Sequence, residues 1–176
     1  MFAHTGMLVQ LFFFYFAAVI VGSSVMVVVQ RNLMHSALWL LCLFLHVAGL
    51  FVMLNAELLA AIQVVVYAGA ILVLYLFAIM LLNIRREEVV RRFHKSWPLL
   101  TGVGFLILTE IVLIAGSSRF SGPVENFTIE FVKKVGNAQV VGKVLFTQFL
   151  FPFEIASLIL LIGMVGAIIL AKKKVE

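Results

Sequence analysis

Cysteine and charge are the two scarce features of this sequence, and each scarcity excludes a class of function. The 176 residues contain one cysteine, Cys42, inside an apolar run, so neither a disulfide framework nor a cysteine-based metal site is available. Charged residues make up 12% of the chain and hydrophobic residues 64%, with a mean hydropathy of +1.20. A soluble domain of this length could not bury so much apolar surface, so the sequence predicts a membrane protein.

Motifs for redox chemistry and group transfer are also missing. The sequence has no haem ligand pair, iron–sulfur motif, nucleotide-binding loop or nucleophile triad, which predicts a chain without redox chemistry of its own. No basic region precedes the first apolar run, and we expect no cleavable targeting signal. The net charge of +5 does not indicate nucleic-acid binding, because the basic residues flank apolar runs. These features are typical of one subunit of a larger membrane complex.

Continuous apolar runs predict five membrane spans, and the fold class is therefore an all-α polytopic membrane protein, with residues 1–176 forming a single membrane domain. The runs do not alternate as the strands of a membrane β-barrel would. The spans cover about 7–29, 33–54, 58–82, 97–116 and 149–171. Only three residues connect the first span to the second and the second to the third, so these three spans are expected to pack as a close antiparallel series.

The distribution of Lys and Arg predicts that the N-terminus lies outside and the C-terminus in the cytoplasm. Of the 13 Lys and Arg residues, only Arg119, Lys133, Lys134 and Lys143 then lie outside, all in the long loop 117–148. The inner side holds Arg31, Arg85, Arg86, Arg91, Arg92, Lys95, Lys172, Lys173 and Lys174. Within the outer loop, residues 136–148 place valine and leucine at helical spacing and predict a short amphipathic helix at the interface.

The third span is longer, and more polar at its centre, than anchoring requires. The 25 residues between Glu57 and Asn83 carry no formal charge. As a helix they would extend roughly 37 Å, against a hydrocarbon core of about 30 Å. Gln63 lies two turns inside the span, where a polar side chain must find a partner within the protein. A role beyond anchoring is therefore predicted for this span.

A tyrosine followed by three small residues lies at the centre of the same span: Tyr67, Ala68, Gly69 and Ala70. Glycine weakens a helix and lowers the cost of an irregular turn, and small neighbours let another backbone approach closely. Taken alone, the four residues are interpreted first as a packing face whose tyrosine hydroxyl bonds across helices. A helix with two arrangements of similar energy, which is what a gate requires, is a compatible second interpretation.

Three glutamates and Gln63 are the candidates for a proton path. Glu57 and Glu154 lie at the outer ends of the third and fifth spans, where the alternative is a solvated carboxylate favoured by the helix dipole. Glu110 lies well inside the fourth span, where a carboxylate costs at least a few kcal/mol unless it is paired, protonated or facing water. His46 is interpreted as a hydrogen-bonded packing residue, since one histidine without a carboxylate four residues away is no metal site.

Several runs of the sequence resemble one known family. They are NLMHSAL at 32–38, ELLAAIQ at 57–63, the hallmark VYAGAI at 66–71, and GKVLFT at 142–147 followed by PFEIAS at 152–157. The family is the J-type membrane subunit of proton-pumping NADH:quinone oxidoreductase, respiratory complex I. Five spans and an outer N-terminus are similar to the family as well. The resemblance covers roughly half of the chain, since the first span, the basic loop and most of the fourth span are generic.

The resemblance implies a membrane-arm subunit of this translocase in a prokaryotic cell (inner) membrane. The whole complex would use NADH, FMN, iron–sulfur clusters and quinone, with no cofactor and no metal bound by this chain. The partners implied are the lipid bilayer and other complex I membrane subunits, including the quinone-site subunit and the adjacent small antiporter-linked subunit. No nucleic acid is implied.

The resemblance also assigns a role to the third span. In this family the third helix has a π-bulge near the hallmark, and its formation and loss accompany rotation of the helix, which opens or closes a hydrated link between the quinone cavity and the antiporter-like subunits. Tyr67, Ala68, Gly69 and Ala70 would then form the gate, helping to couple quinone reduction to proton pumping. Two other hypotheses remain: a subunit of a multi-subunit cation/proton antiporter, and a structural assembly factor, which has no use for a glycine-weakened central helix.

Overall fold

The computed structural model describes residues 2–82, 97–117 and 128–172, and every regular element in these ranges is a helix. The helices are α1 (Phe2–Val29), α2 (Leu33–Met53), α3 (Glu57–Ile62), a π-helical segment (Gln63–Ile71), α4 (Leu72–Leu81), α5 (Trp97–Ser117), α6 (Ile129–Val135), α7 (Asn137–Thr147) and α8 (Leu150–Ala171). We refer to the continuous helix formed by α3, the π segment and α4 as helix three. The predictions made for the basic loop 83–96, for loop residues 118–127 and for Lys173 and Lys174 lie outside the described residues.

Four of the described helices are long and apolar enough to cross a membrane: Gly6–Val29, Leu33–Met53, Glu57–Leu81 and Leu150–Ala171. The predicted fourth span corresponds to α5, in which the apolar stretch is shorter, Thr101–Ile114. The chain is thus an all-helical, multi-pass membrane protein. The count of five spans and the outer N-terminus stay predictions.

Two asparagines shape the short connections around α2. Asn32 is the N-cap of α2, and its side chain accepts a hydrogen bond from the Met34 N–H at 2.9 Å. Asn55 has φ 57°, a left-handed conformation that asparagine tolerates better than most residues, and it turns the chain from α2 into helix three. As a result α1 and helix three both pack against α2, and within the described residues they do not contact each other.

Small residues bring α1 and α2 close together. Ser23 and Ala37 are each 1% exposed and Ala48 is 5% exposed. The Ser36 hydroxyl donates a 2.6 Å hydrogen bond to the Val27 carbonyl across the interface. Without a hydrophobic driving force inside a bilayer, close packing and interhelical hydrogen bonds of this kind hold membrane helices together.

Gly49 leaves room for the Phe16 ring of α1 to lie close against α2. A Cβ atom added there would lie 2.5 Å from Phe16 Cε1 and 2.8 Å from Phe16 Cζ. We therefore expect Gly49→Ala to displace the Phe16 ring at a cost of about 1–3 kcal/mol. Thermal unfolding of the purified chain in mild detergent is followed by circular dichroism. The unfolding midpoint of Gly49→Ala should be several degrees lower than that of the control variant. Gly22→Ala on α1 is the matched control, because nothing lies within 4 Å of its Cβ position; equal midpoints for the two variants would contradict the prediction.

Of the remaining described helices, only α7 packs against this three-helix unit. Among the described elements, α7 packs against α3, α6 and α8 pack against α7, and α5 contacts none of the others. The apolar side chains of α5 and α8 are accordingly exposed, as Phe105 (71%) and Leu170 (90%) illustrate. Lipid or partner subunits must cover these two helices.

Candidate functional site: the π segment of helix three

Helix three changes from α-helical to π-helical hydrogen bonding at Gln63 and returns to α at Leu72. The wider turn is visible at its end, where the Leu72 N–H donates to the carbonyl of Tyr67, five residues earlier. The four residues proposed for the gate, Tyr67, Ala68, Gly69 and Ala70, all lie in the nine-residue π segment, together with Gln63. Long π segments are rare and occur frequently at functional sites.

The spacing of the buried positions in helix three shows that the helix contains one residue more than an α-helix with the same number of turns. Ala60, Gln63, Ala68 and Leu72 are buried, with exposures of 6%, 8%, 6% and 2%. They form the face toward α2, since α2 packs along α3, the π segment and α4. Three turns of an α-helix take about 11 residues, whereas Ala60 and Leu72 are separated by 12 positions. The five-residue step from Gln63 to Ala68 therefore keeps Ala68 and Leu72 against α2.

Gly69 lies against a backbone carbonyl inside the π segment. A Cβ atom added at Gly69 would be 3.2 Å from the carbonyl oxygen of Val64, five residues earlier. This is tighter than an ordinary van der Waals contact, and the neighbouring atom belongs to the backbone of the same helix. A larger residue at this position therefore has to shift the helix itself.

Tyr67 contacts α2 through its ring. The Tyr67 and Phe44 ring centroids are 5.7 Å apart, with an interplanar angle of 70°, an edge-to-face arrangement. The Tyr67 side chain is 45% exposed, and within the described residues its hydroxyl makes no hydrogen bond to a neighbouring helix. Ring packing on Phe44 therefore positions Tyr67 in this arrangement of the segment.

The candidate carboxylates are placed apart from the π segment. Glu57 is exposed in the first turn of α3. Glu110 on α5 and Glu154 near the start of α8 are also exposed, and neither helix contacts helix three within the described residues. Gln63 is the one candidate that lies inside the segment and is buried. No cluster of His, Cys, Asp or Glu suited to a metal ion occurs in the described ranges.

A second polar group connects α1 and α2. His46 Nδ1 lies 2.7 Å from the Cys42 carbonyl oxygen, which only accepts, so Nδ1 carries the proton and donates. In the neutral ring, Nε2 then accepts from the Tyr15 hydroxyl at 3.4 Å. The Ser23 hydroxyl donates to Cys42 Sγ at 3.6 Å. His46 is thus a hydrogen-bonded packing residue, as its isolation in the sequence indicates.

The partners of His46 were missed by the sequence analysis, although a signal for them exists. In a tight antiparallel hairpin, residues at equal distances from the turn face each other. Tyr15 and His46 lie 15 and 14 residues from the ends of the turn at 30–32, so counting outward from the turn would have paired them. Ser23 and Cys42 lie 7 and 10 residues from it, and counting would not have paired these two.

Comparison with known proteins places this chain among subunits of one enzyme. Residues 23–170 match the family model for NADH-ubiquinone/plastoquinone oxidoreductase chain 6. The chain is 34% identical over 151 residues to the NADH-quinone oxidoreductase subunit J of Rickettsia typhi, covering 85% of this chain and 74% of the relative. It is 39% identical over 153 residues to the NAD(P)H-quinone oxidoreductase chain 6 of Synechocystis sp., covering 84% and 72%. It is 35% identical over 159 residues to the NADH-ubiquinone oxidoreductase chain 6 of Marchantia polymorpha, covering 85% and 79%.

Proposed function

This chain belongs to the NADH-ubiquinone/plastoquinone oxidoreductase chain 6 family, and we propose that within this enzyme its helix three is the gate that couples quinone reduction to proton translocation. The chain is a membrane subunit of NADH-quinone oxidoreductase, a translocase complex that uses NADH and quinone, and other subunits of that complex are its partners. The observation that carries the proposed gate is the nine-residue π segment Gln63–Ile71.

The π segment supports a two-state helix because it contains one residue more than its turns require. Loss of that extra residue turns the helix beyond it by roughly 100°. Backbone groups inside a membrane must stay paired, and both forms pair them, through bonds to the fourth or to the fifth preceding residue. The exchange is therefore compatible with the bilayer.

The register identifies which side chains exchange places. In a continuous α-helix the face that includes Ala60 would contain positions 64, 67 and 71. Tyr67 and Ile71 would then face α2 in place of Ala68 and Leu72. The Tyr67 ring, which already contacts Phe44 of α2 while 45% exposed, would replace the buried Ala68 on this face, which changes both the volume and the polarity there. This change of side chains on the face toward α2 is the difference between the two states of the proposed gate.

The proton-path candidates and the partners complete the proposal. Gln63, buried within the segment, would bind water or a partner group in one of the two forms, while Glu57, Glu110 and Glu154 would extend the path through neighbouring subunits. The exposed surfaces of α5 and α8 would contact other membrane subunits, among them the quinone-site subunit and the small antiporter-linked subunit. FMN and the iron–sulfur clusters would belong to other chains. We further propose five spans with the N-terminus outside, in a prokaryotic cell membrane.

Affinity purification of this chain in mild detergent tests the assignment. We expect a complex of many subunits with flavin and iron–sulfur absorbance, and NADH:quinone activity that quinone-site inhibitors abolish. Recovery with antiporter-like partners and without those absorbances would instead support the cation/proton antiporter, which the family match does not favour. Absence from the mature complex would support an assembly factor.

A further inference from the structure

The outer end of helix three is capped by a residue that lies far away in the sequence. Its own N-cap residue, Ala56, has no side chain that can bond to the free backbone N–H groups of the first turn. Instead, the Leu58 N–H donates to Asn137 Oδ1 at 3.2 Å. Asn137 is the first residue of α7, and it follows Gly136, which has φ 100°.

The same amide also holds the preceding turn. Asn137 Nδ2 donates to the Asn55 carbonyl at 3.2 Å. One side chain thus bonds to the backbone within the connection, at Asn55, and to the backbone of the first turn of helix three, at Leu58, an arrangement we term the Asn137 cap. The amide is well suited to this role because it donates and accepts at once, which a carboxylate or a hydroxyl cannot do with the same geometry. Packing of α7 against α3 accompanies the two hydrogen bonds.

Within the described residues, which stop at Leu82 on this side, the opposite end of helix three has no equivalent cap. Within the described residues α4 packs only against α2 and the π segment. Its last turn ends in an ordinary backbone hydrogen bond, from the Leu82 N–H to the Ala78 carbonyl. Within the described residues the two halves that flank the π segment are therefore held unequally, and we expect a rotation between them to occur in the half with fewer attachments.

We propose that Asn137 is a positioning residue that fixes α3, so that exchange of the π segment turns α4 while α3 stays in place. This inference rests on the proposed gate and adds to it the direction of motion and the residue that sets it. When the extra residue is lost, α4 turns by roughly 100° relative to α3. With the Asn137 cap in place, the whole of that rotation appears on the side of Leu72.

Photo-crosslinking in the intact complex distinguishes the two halves. Benzoylphenylalanine is placed at Leu59 in α3 or at Leu74 in α4, whose side chains are 40% and 71% exposed. Cross-linked neighbours are identified by mass spectrometry at rest and during NADH:quinone turnover. We expect the cross-links from Leu74 to change partner during turnover, with more than half of the resting product lost, and those from Leu59 to stay the same.

Removal of the cap should release α3. In Asn137→Ala, the cross-links from Leu59 are expected to change during turnover as well, and the number of protons pumped per NADH to fall. NADH oxidation by artificial acceptors should stay normal. Asn137→Asp is a second variant in case the alanine variant fails to assemble, since it retains an acceptor for Leu58 and loses the donor to Asn55. Gln139→Ala, an exposed position on the same helix, is the matched control and should behave as the wild type.

Two results overturn this inference and leave the gate intact. The first is a change in the Leu59 cross-links during turnover of the wild-type complex, and the second is an unchanged Leu59 pattern in both Asn137 variants while Leu74 still changes. A pumping wild-type complex in which neither position changes overturns the gate itself, and this inference with it.

Discussion

Replacing Gly69 with valine should reduce quinone-coupled proton pumping at least about fivefold, while NADH oxidation by artificial acceptors stays intact. A Cβ at this position already lies 3.2 Å from the Val64 carbonyl oxygen, and valine adds two methyl groups to it. Overpacking of this kind costs about 1–3 kcal/mol, and a bias of that size changes a two-state ratio about 5–150-fold. The close contact involves the carbonyl five residues earlier, so the strain falls on the π form of the helix.

Membrane vesicles that contain the complex provide the measurement for Gly69→Val. Pumping is followed with a pH-sensitive dye, quinone-coupled turnover with a short-chain quinone, and assembly by the rate of NADH:ferricyanide reduction. Gly163→Val in α8 is the matched control, because that glycine also lies in a membrane helix but has nothing within 4 Å of its Cβ position. Normal pumping and coupled turnover in Gly69→Val would disprove the assignment of Gly69 to the gate.

Deletion of Val65 should reduce proton pumping by at least as much as Gly69→Val does. The deletion removes the extra residue of the π segment, whereas the valine substitution adds bulk to it. Val65 is 68% exposed, so little packing within this chain is lost. After the deletion, Ala60, Gln63, Ala68 and Leu72 are spaced by three, four and four residues, the spacing of a continuous α-helical face. The same side chains then face α2 with no π segment, and the helix has only one arrangement. We expect an assembled complex that oxidises NADH with artificial acceptors and does not pump.

Reinsertion of a residue tests whether register, rather than the identity of Val65, is responsible. An alanine inserted after Val66 in the deletion variant restores the 12-position separation of Ala60 and Leu72, and pumping should recover at least in part. Pumping that survives the deletion, or a reinserted variant that stays inactive while fully assembled, would exclude an exchange between π and α forms as the basis of coupling.

The sequence predicted the helices well because long apolar runs report membrane spans directly, and the small residues around Gly69 marked the segment that is irregular. The extent of the π segment was not predictable in the same way. The dihedral angles where it begins and ends, such as φ −58° and ψ −43° at Gln63, are close to ordinary α-helical values, so local preferences do not separate the two forms. The five-residue step from Gln63 to Ala68 on the buried face and the hydrogen bond from the Leu72 N–H to the Tyr67 carbonyl reveal it.

The tertiary hydrogen bonds of Asn137 could not be predicted from the sequence. Asn137 and Leu58 are 79 positions apart, and nothing in the run at 136–148 indicates which backbone group its first amide binds. The glutamates illustrate the opposite case, in which the residues are easily found in the sequence but the structure of this chain alone does not assign them a partner. Glu110 and Glu154 are conspicuous in an apolar sequence, but they lie on helices that make no contact with helix three among the described residues. The proton path proposed through them would therefore require neighbours in the complex.

The lack of contact between α5 or α8 and the unit formed by α1, α2 and helix three, among the described residues, has a consequence for the stability of this chain in the cell. A newly inserted copy has a folded three-helix unit and two further helices with exposed apolar side chains and no intramolecular partner among α1, α2 and helix three. Until other subunits bind, these two helices are accessible to membrane-bound proteases. The abundance of this chain should therefore follow the synthesis of its partners rather than its own, and unassembled copies should be short-lived.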